Sequence, residues 1–142
     1  MTTNQGAGMM HDPSEGIDKQ AVTTNTERSG AGSTMIYEQR VYRARPGKLP
    51  ALLSRFENHV LRIWTRLGIE PVAFWTVVIG ESNQMLIYML RWKSLAEREK
   101  RWTAFLNDPE WLQVWNETDK DGTLALRTTN QILKLTSFSN TI

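Results

Sequence analysis

Two apolar runs within residues 71–92, PVAFWTVVIGESNQMLIYMLRW, constrain this chain more than anything else in it. Residues 72–79 and 85–92 are rich in β-branched, aromatic and large aliphatic side chains, and Gly80-Glu81-Ser82-Asn83-Gln84 separates them as a short polar loop. This is the pattern of a β-hairpin. A half-buried strand alternates apolar and polar residues, but these strands are apolar on both sides. Val72, Phe74 and Val78 share one face, opposite Ala73, Trp75, Val77 and Ile79. On the return strand Met85, Ile87 and Met89 lie opposite Leu86, Tyr88, Leu90 and Trp92. A sheet with two apolar faces needs two covers.

The flanking sequence supplies one of them. Residues 35–44, MIYEQRVYRA, read as a strand with Ile36, Glu38, Arg40 and Tyr42 on one side. Glu38 and Arg40 share that side, so in a central strand they form either a structural ion pair that fixes register or a polar anchor in a ligand pocket. Arg45-Pro46-Gly47-Lys48 is a turn. From Leu49 the period becomes helical, with Leu49, Leu52, Leu53, Phe56, Val60, Ile63, Trp64 and Leu67 on one stripe, and Gly68 closes the helix. His59 stands at the edge of the stripe, as a half-exposed helix residue or as an acid/base group of a pocket.

After the hairpin, Ser94-Leu95-Ala96-Glu97 is a capping box, followed by an amphipathic helix carrying Leu95, Arg98, Trp102, Phe105 and Leu106. Asn107-Asp108-Pro109 interrupts and restarts it, because Asp suits the N-cap and Pro the first helical position. The restarted piece holds Trp111, Leu112, Val114 and Trp115, Asp121-Gly122 makes a turn, and a last strand is expected over about residues 130–138. The order is β-α-β-β-α-β, an α+β ferredoxin-like pattern. Right-handed crossovers place both helices on one face of a four-stranded antiparallel sheet. The other apolar face is left for a partner, and a homodimer with its sheets face to face, forming an α+β barrel, is the simplest cover.

Residues 1–33 are rich in Thr, Asn, Gly and Ser and lack aromatic residues, so they bury too little apolar surface to offset their ordering entropy. They are expected to be a disordered tail preceding one domain over 34–142. The tail has neither the apolar core of a secretory signal nor the arginine content of a mitochondrial presequence. Its balance is −2 within a chain of net charge +2, so the domain carries +4, short of the dense positive surface of a nucleic-acid protein. Cysteine is absent, which excludes disulfides and thiolate metal sites and fits a cytoplasmic setting. No apolar run reaches the ~18 residues that span a bilayer, so no membrane insertion is expected.

Several of these pieces together resemble the NIPSNAP family, within the dimeric α+β-barrel superfamily. They are Tyr37-Glu38-x-Arg40, Pro46-Gly47-Lys48, Gly68-Ile69, Phe74-Trp75, Gly80-x-x-Asn83, Ser94-Leu95-Ala96-Glu97-Arg98 and Asp108-Pro109-Glu110-Trp111. The resemblance covers nearly the whole ordered domain and implies a dimeric barrel. Animal members of the family look like adaptors in mitochondrial quality control and vesicle traffic. Related barrel families include cofactor-free monooxygenases, polyketide cyclases, small isomerases and some haem enzymes. Their ligand pocket usually lies between the sheet and the helices of each subunit.

The leading expectation is therefore a small-molecule enzyme or binder with an aromatic-lined pocket in that layer. It would act on a hydrophobic metabolite by cofactor-independent monooxygenation, cyclisation or isomerisation. Six tryptophans are many for a domain of this size, and large rings can wall a cavity as well as pack a core. The candidate catalytic residues are Glu38, Arg40 and His59: an acid/base from Glu38 or His59, with Arg40 or a tyrosine holding oxyanion charge. The candidate substrate contacts are Tyr37, Tyr42, Trp64, Trp75, Asn83, Tyr88, Trp92 and Trp111. The alternative is a non-catalytic interaction module of the adaptor kind, docking through the charged helix face from Glu97 to Arg101 and the Trp111/Trp115 segment.

RNA binding is set aside, because the third strand lacks the glycine and aromatic pair of an RNA-recognition motif. With only His11 and His59 in the chain, a multi-histidine metal site within one subunit is excluded. Haem on a single histidine has no supporting signal, and no cofactor is expected. Neither a phosphate-binding glycine loop nor a nucleophile elbow is present.

Overall fold

Residues 35–142 are described by a computed structural model; the expected tail over residues 1–33 lies outside the described residues. The central strand β1 (Ile36–Ala44) pairs antiparallel with two neighbours, β3 (Met85–Trp92) and β4 (Ala125–Leu133). β2 (Glu70–Thr76) pairs antiparallel with β3, giving the order β2-β3-β1-β4. This is the ferredoxin-like arrangement that the βαββαβ order predicts.

The helix α1 is α-helical over Leu49–Arg55, widens into a π-helical turn over Phe56–Val60, and is α-helical again over Leu61–Leu67. Gly68 ends it at φ +76°, a left-handed conformation that glycine takes without penalty. α2 (Leu95–Leu106) starts at Ser94, whose Oγ accepts from Glu97 N at 3.0 Å, while Glu97 Oε2 accepts from Lys93 N at 2.6 Å. α3 (Pro109–Thr118) starts at Asp108, whose carboxylate accepts from Trp111 N at 3.0 Å. Both restarts follow the capping chemistry written in the sequence.

Two strand boundaries differ from the sequence reading. The run over 72–79 leaves the sheet after Thr76, which pairs opposite Leu86 as the last β2–β3 partner. Val78 and Ile79 therefore stand on an exposed loop, 91% and 95% accessible. The last strand begins at Ala125, directly after the turn, and stops at Leu133 opposite Tyr37. The strand therefore spans Ala125–Leu133, shifted from the expected 130–138. The regular helix expected from Leu49 to Leu67 is also broken by its π turn.

Between the sheet and the helices lies an aromatic layer. Phe56, Trp64, Phe74, Tyr88, Trp102, Phe105 and Trp111 form a continuous chain of ring contacts, with centroids 4.8 to 6.3 Å apart. Among the described residues no helix covers the opposite sheet face. Its central row runs Trp75, Ile87, Val41, Thr129 across all four strands, with Met89 and Gln39 in the next row. These residues are half-buried or exposed, and Trp75 is 47% accessible. The chain end reaches one corner of this face, where Arg91 Nη1 donates to the Ile142 carbonyl at 3.2 Å.

Candidate functional site

β1 places Glu38 and Arg40 side by side on the helix-covered face, in the middle of the sheet. Glu38 is fully buried. Arg98 of α2 reaches down to it with two hydrogen bonds, Nε to Oε1 at 2.8 Å and Nη2 to Oε2 at 2.9 Å. Arg40 Nη1 donates to Oε2 at 2.8 Å, Asn130 Nδ2 of β4 to Oε2 at 2.8 Å, and Trp92 Nε1 of β3 to Oε1 at 3.0 Å. Burial alone would push the carboxyl pKa up. The Arg98 hydrogen bonds and the charges of Arg40 and Arg98, helped by Asn130, outweigh it and hold the pKa near 2. A carboxylate so stabilised and so fully occupied is a poor proton acceptor near neutrality. Its chemistry is to fix the two guanidiniums.

Arg40 is the less satisfied of the pair. Its guanidinium lies 4.5 Å from the Trp102 ring centroid and 5.8 Å from that of Tyr42. Its Nε–H is buried without an acceptor, and so are the indole N–H groups of Trp64, Trp102 and Trp111. Trp64 and Trp102 are in ring contact at 6.2 Å. Beside them, Tyr88 donates to the Tyr42 hydroxyl at 3.0 Å, and burial raises the Tyr88 pKa well above its ordinary value, so it keeps its proton. Native interiors pair nearly all of their buried donors. Several unpaired donors in one layer, with no unpaired acceptor among them, describe a place suited to an acceptor.

Of the residues singled out by sequence, Glu38, Arg40, Tyr42, Tyr88, Trp64 and Trp92 come together in this layer. Trp111 lies at its far side, stacked on Phe105 at 4.8 Å. Tyr37 and Trp75 point to the uncovered sheet face, and Asn83 sits in the exposed β2–β3 loop. His59 belongs to the π turn of α1 and lines a separate cavity with Ala51, Ser54, Arg55, Thr118 and Leu124. It is not grouped with Glu38 and Arg40. The docking surface proposed for Trp111 and Trp115 is not available, because both rings are buried. Arg98, Asn130 and Trp102 complete the site and were not singled out. The signal for Arg98 was an arginine on the apolar stripe of α2. Among the described residues no three His, Asp or Glu side chains gather as metal ligands.

The NIPSNAP family model matches residues 37–140. The chain belongs to the NIPSNAP family. Its fold matches that of a NIPSNAP-like domain protein from Burkholderia xenovorans at 25% identity and a TM-score of 0.68, covering 78% of this chain and 93% of that one. A NIPSNAP family protein with unknown function from Agrobacterium tumefaciens is 32% identical, with a TM-score of 0.64 over 74% of this chain and 91% of the other. A second NIPSNAP family protein from the same organism is 27% identical, with a TM-score of 0.66 over 74% and 96%. No curated protein is matched. For this NIPSNAP chain, family membership and the ferredoxin-like sheet are thus established. Among the described residues no helix is long and apolar enough to cross a membrane.

Proposed function

We propose that this NIPSNAP protein binds a small, largely apolar molecule bearing a carbonyl or related oxygen, in the aromatic layer between sheet and helices. The observation that carries the reading is the set of unpaired buried donors, Arg40 Nε–H and the Trp64 and Trp102 indoles, within a wall of rings. Each unpaired donor costs about 1–3 kcal/mol, and an acceptor oxygen entering the layer recovers that cost. The rings supply the apolar contact and the donors supply orientation.

The chemistry that suits such a site is stabilisation of negative charge on the ligand oxygen. Arg40 and the indoles are aimed by packing, and Glu38 with Arg98 keeps Arg40 from turning away. This favours enolisation, cyclisation or cofactor-independent oxygenation, with Arg40 as the electrostatic group and the hydrogen-bonded Tyr42–Tyr88 hydroxyls beside it. Glu38 is a positioning residue in this reading. His59 has no part in it.

We infer further that the working unit is a homodimer. The apolar row Trp75, Ile87, Val41 crosses the uncovered face, and two such faces packed together would remove it from water. We place it in the cytoplasm, a setting that the cysteine-free composition fits. The test of the ligand reading is titration of the full chain with fluorenone, an apolar aromatic ketone, against fluorene, the same skeleton without the oxygen. Saturable binding of the ketone that moves the Trp64 and Trp102 indole signals supports it, and equal behaviour of the two compounds overturns it.

A further inference from the structure

The cavity beside His59 is a second built site, separate from the aromatic layer. It has a volume of about 230 Å³, opens on the helix side, and is lined by Ala51, Ser54, Arg55, His59, Thr118 and Leu124. A face-to-face pairing of sheets would leave it open. Arg55 is its charged wall and is 5% exposed. Its Nη1 donates to Thr118 Oγ1 at 3.0 Å and to Asp119 Oδ1 at 2.9 Å, and its guanidinium lies 5.6 Å from the Trp111 ring centroid. Asp119 is shared: it also accepts from Leu124 N at 3.3 Å and from Trp115 Nε1 at 2.6 Å. One donor of Arg55, Nε–H, is buried and has no acceptor.

The backbone adds an independent pointer. The π-helical turn of α1 begins directly after Arg55 and contains His59. Such turns are rare and are frequently found at functional sites. His59 is half-buried, and its ring is paired with no other described residue. Ser54 Oγ accepts from Asn58 Nδ2 at 3.0 Å, which leaves its hydroxyl hydrogen to donate elsewhere.

We propose that this cavity binds a small monocarboxylate with a compact apolar body. The Arg55 guanidinium, the Ser54 hydroxyl and the His59 ring donate to the carboxylate, while Ala51 and Leu124 contact the apolar part. A single negative charge fits better than a phosphate, because Asp119 already shares the charge of Arg55. The reading is independent of the ligand assigned to the aromatic layer.

The test is nuclear magnetic resonance on the isotope-labelled full chain titrated with sodium benzoate, following the Arg55 Nε–H and His59 ring signals. Benzamide is the uncharged control. The expected result is a saturable shift of both signals by benzoate at millimolar concentration. Binding of benzamide should be weaker by about tenfold, the loss of one charge-assisted hydrogen bond. Ala51→Phe, at an exposed helix position, should fill the cavity and abolish the shift, and His59→Ala should weaken it. An unmoved Arg55 Nε–H, equal binding of benzamide, or undiminished binding by Ala51→Phe would overturn the proposal. Failure of the aromatic-layer reading would show instead at the Trp64 and Trp102 indoles.

Discussion

Arg98 holds Glu38 through both carboxylate oxygens, at 2.8 and 2.9 Å, and so fastens the second helix to the central strand. The same carboxylate receives Arg40, Asn130 and Trp92, so β1, β3, β4 and α2 meet on one buried charge. Breaking such a cluster costs more than forming it stabilises, because the partners are left charged and dry.

Glu38→Gln keeps the volume and removes the charge. Arg40 and Arg98 then face a neutral amide inside the protein. The expected loss is about 3–5 kcal/mol of unfolding free energy, measured by urea denaturation of the full chain. A loss below about 1 kcal/mol would mean that the cluster is more hydrated than its burial indicates.

Acid should act through the same residue. The Glu38 pKa falls from an ordinary 4.5 to about 2 on folding, so the unfolded chain takes up the proton first. The stabilisation is complete above the unfolded value and is lost as pH drops from about 4.5 towards 2. Its size is about 3 kcal/mol at ~1.4 kcal/mol per pKa unit. Stability of the parent protein should fall through this window, and the fall in Glu38→Gln should be smaller by about that amount.

Trp102→Phe separates the ligand reading from ordinary packing. The variant keeps a ring against Arg40 but deletes an indole N–H that has no partner. Removing an unpaired donor offsets much of the lost contact area, so the ligand-free protein should change by less than about 1 kcal/mol. Fluorenone binding should weaken at the same time. A strongly destabilised variant with unchanged ketone binding would make the ring purely structural.

The open sheet face has its own test. Ile87 sits between Trp75 and Val41 in the central row, on the side away from the helices. Ile87→Lys should convert a dimer into a folded monomer in sedimentation equilibrium, with the circular dichroism spectrum kept. A parent protein that sediments as a monomer at micromolar concentration would remove the homodimer from the account.

The fold was largely legible because its signals are local. The apolar runs on either side of the Gly80–Gln84 loop, period 3.6 from Leu49, the Ser94 and Asp108 caps and Gly68 each act within a few residues. What the sequence hid depends on pairing. β4 is an edge strand of mixed polarity, LRTTNQ, whose limits show in its pairing with β1 rather than in its own pattern. Val77 to Ile79 read as strand by propensity, but the β2–β3 pairing ends at Thr76 opposite Leu86.

The site was half legible for the same reason. Glu38 and Arg40 stand two residues apart on an otherwise apolar strand face and were visible as a pair. Arg98 and Asn130 lie 60 and 92 positions away from Glu38, and only the packing of α2 and the β1–β4 register bring them in. His59 was grouped with Glu38 and Arg40 by chemical type alone. The π turn that sets it beside Arg55 leaves no mark in hydrophobic spacing.

The most direct measurement is the indole region of the magnetic resonance spectrum of the full chain, recorded during parallel titrations with fluorenone and fluorene. The Trp64 and Trp102 N–H signals are assigned from their Phe variants. The account predicts saturable shifts of these two signals with the ketone, in the direction of a new hydrogen bond, and little change with the hydrocarbon. Shifts that are identical for both compounds, or two signals that stay still while ketone binds elsewhere, would contradict it.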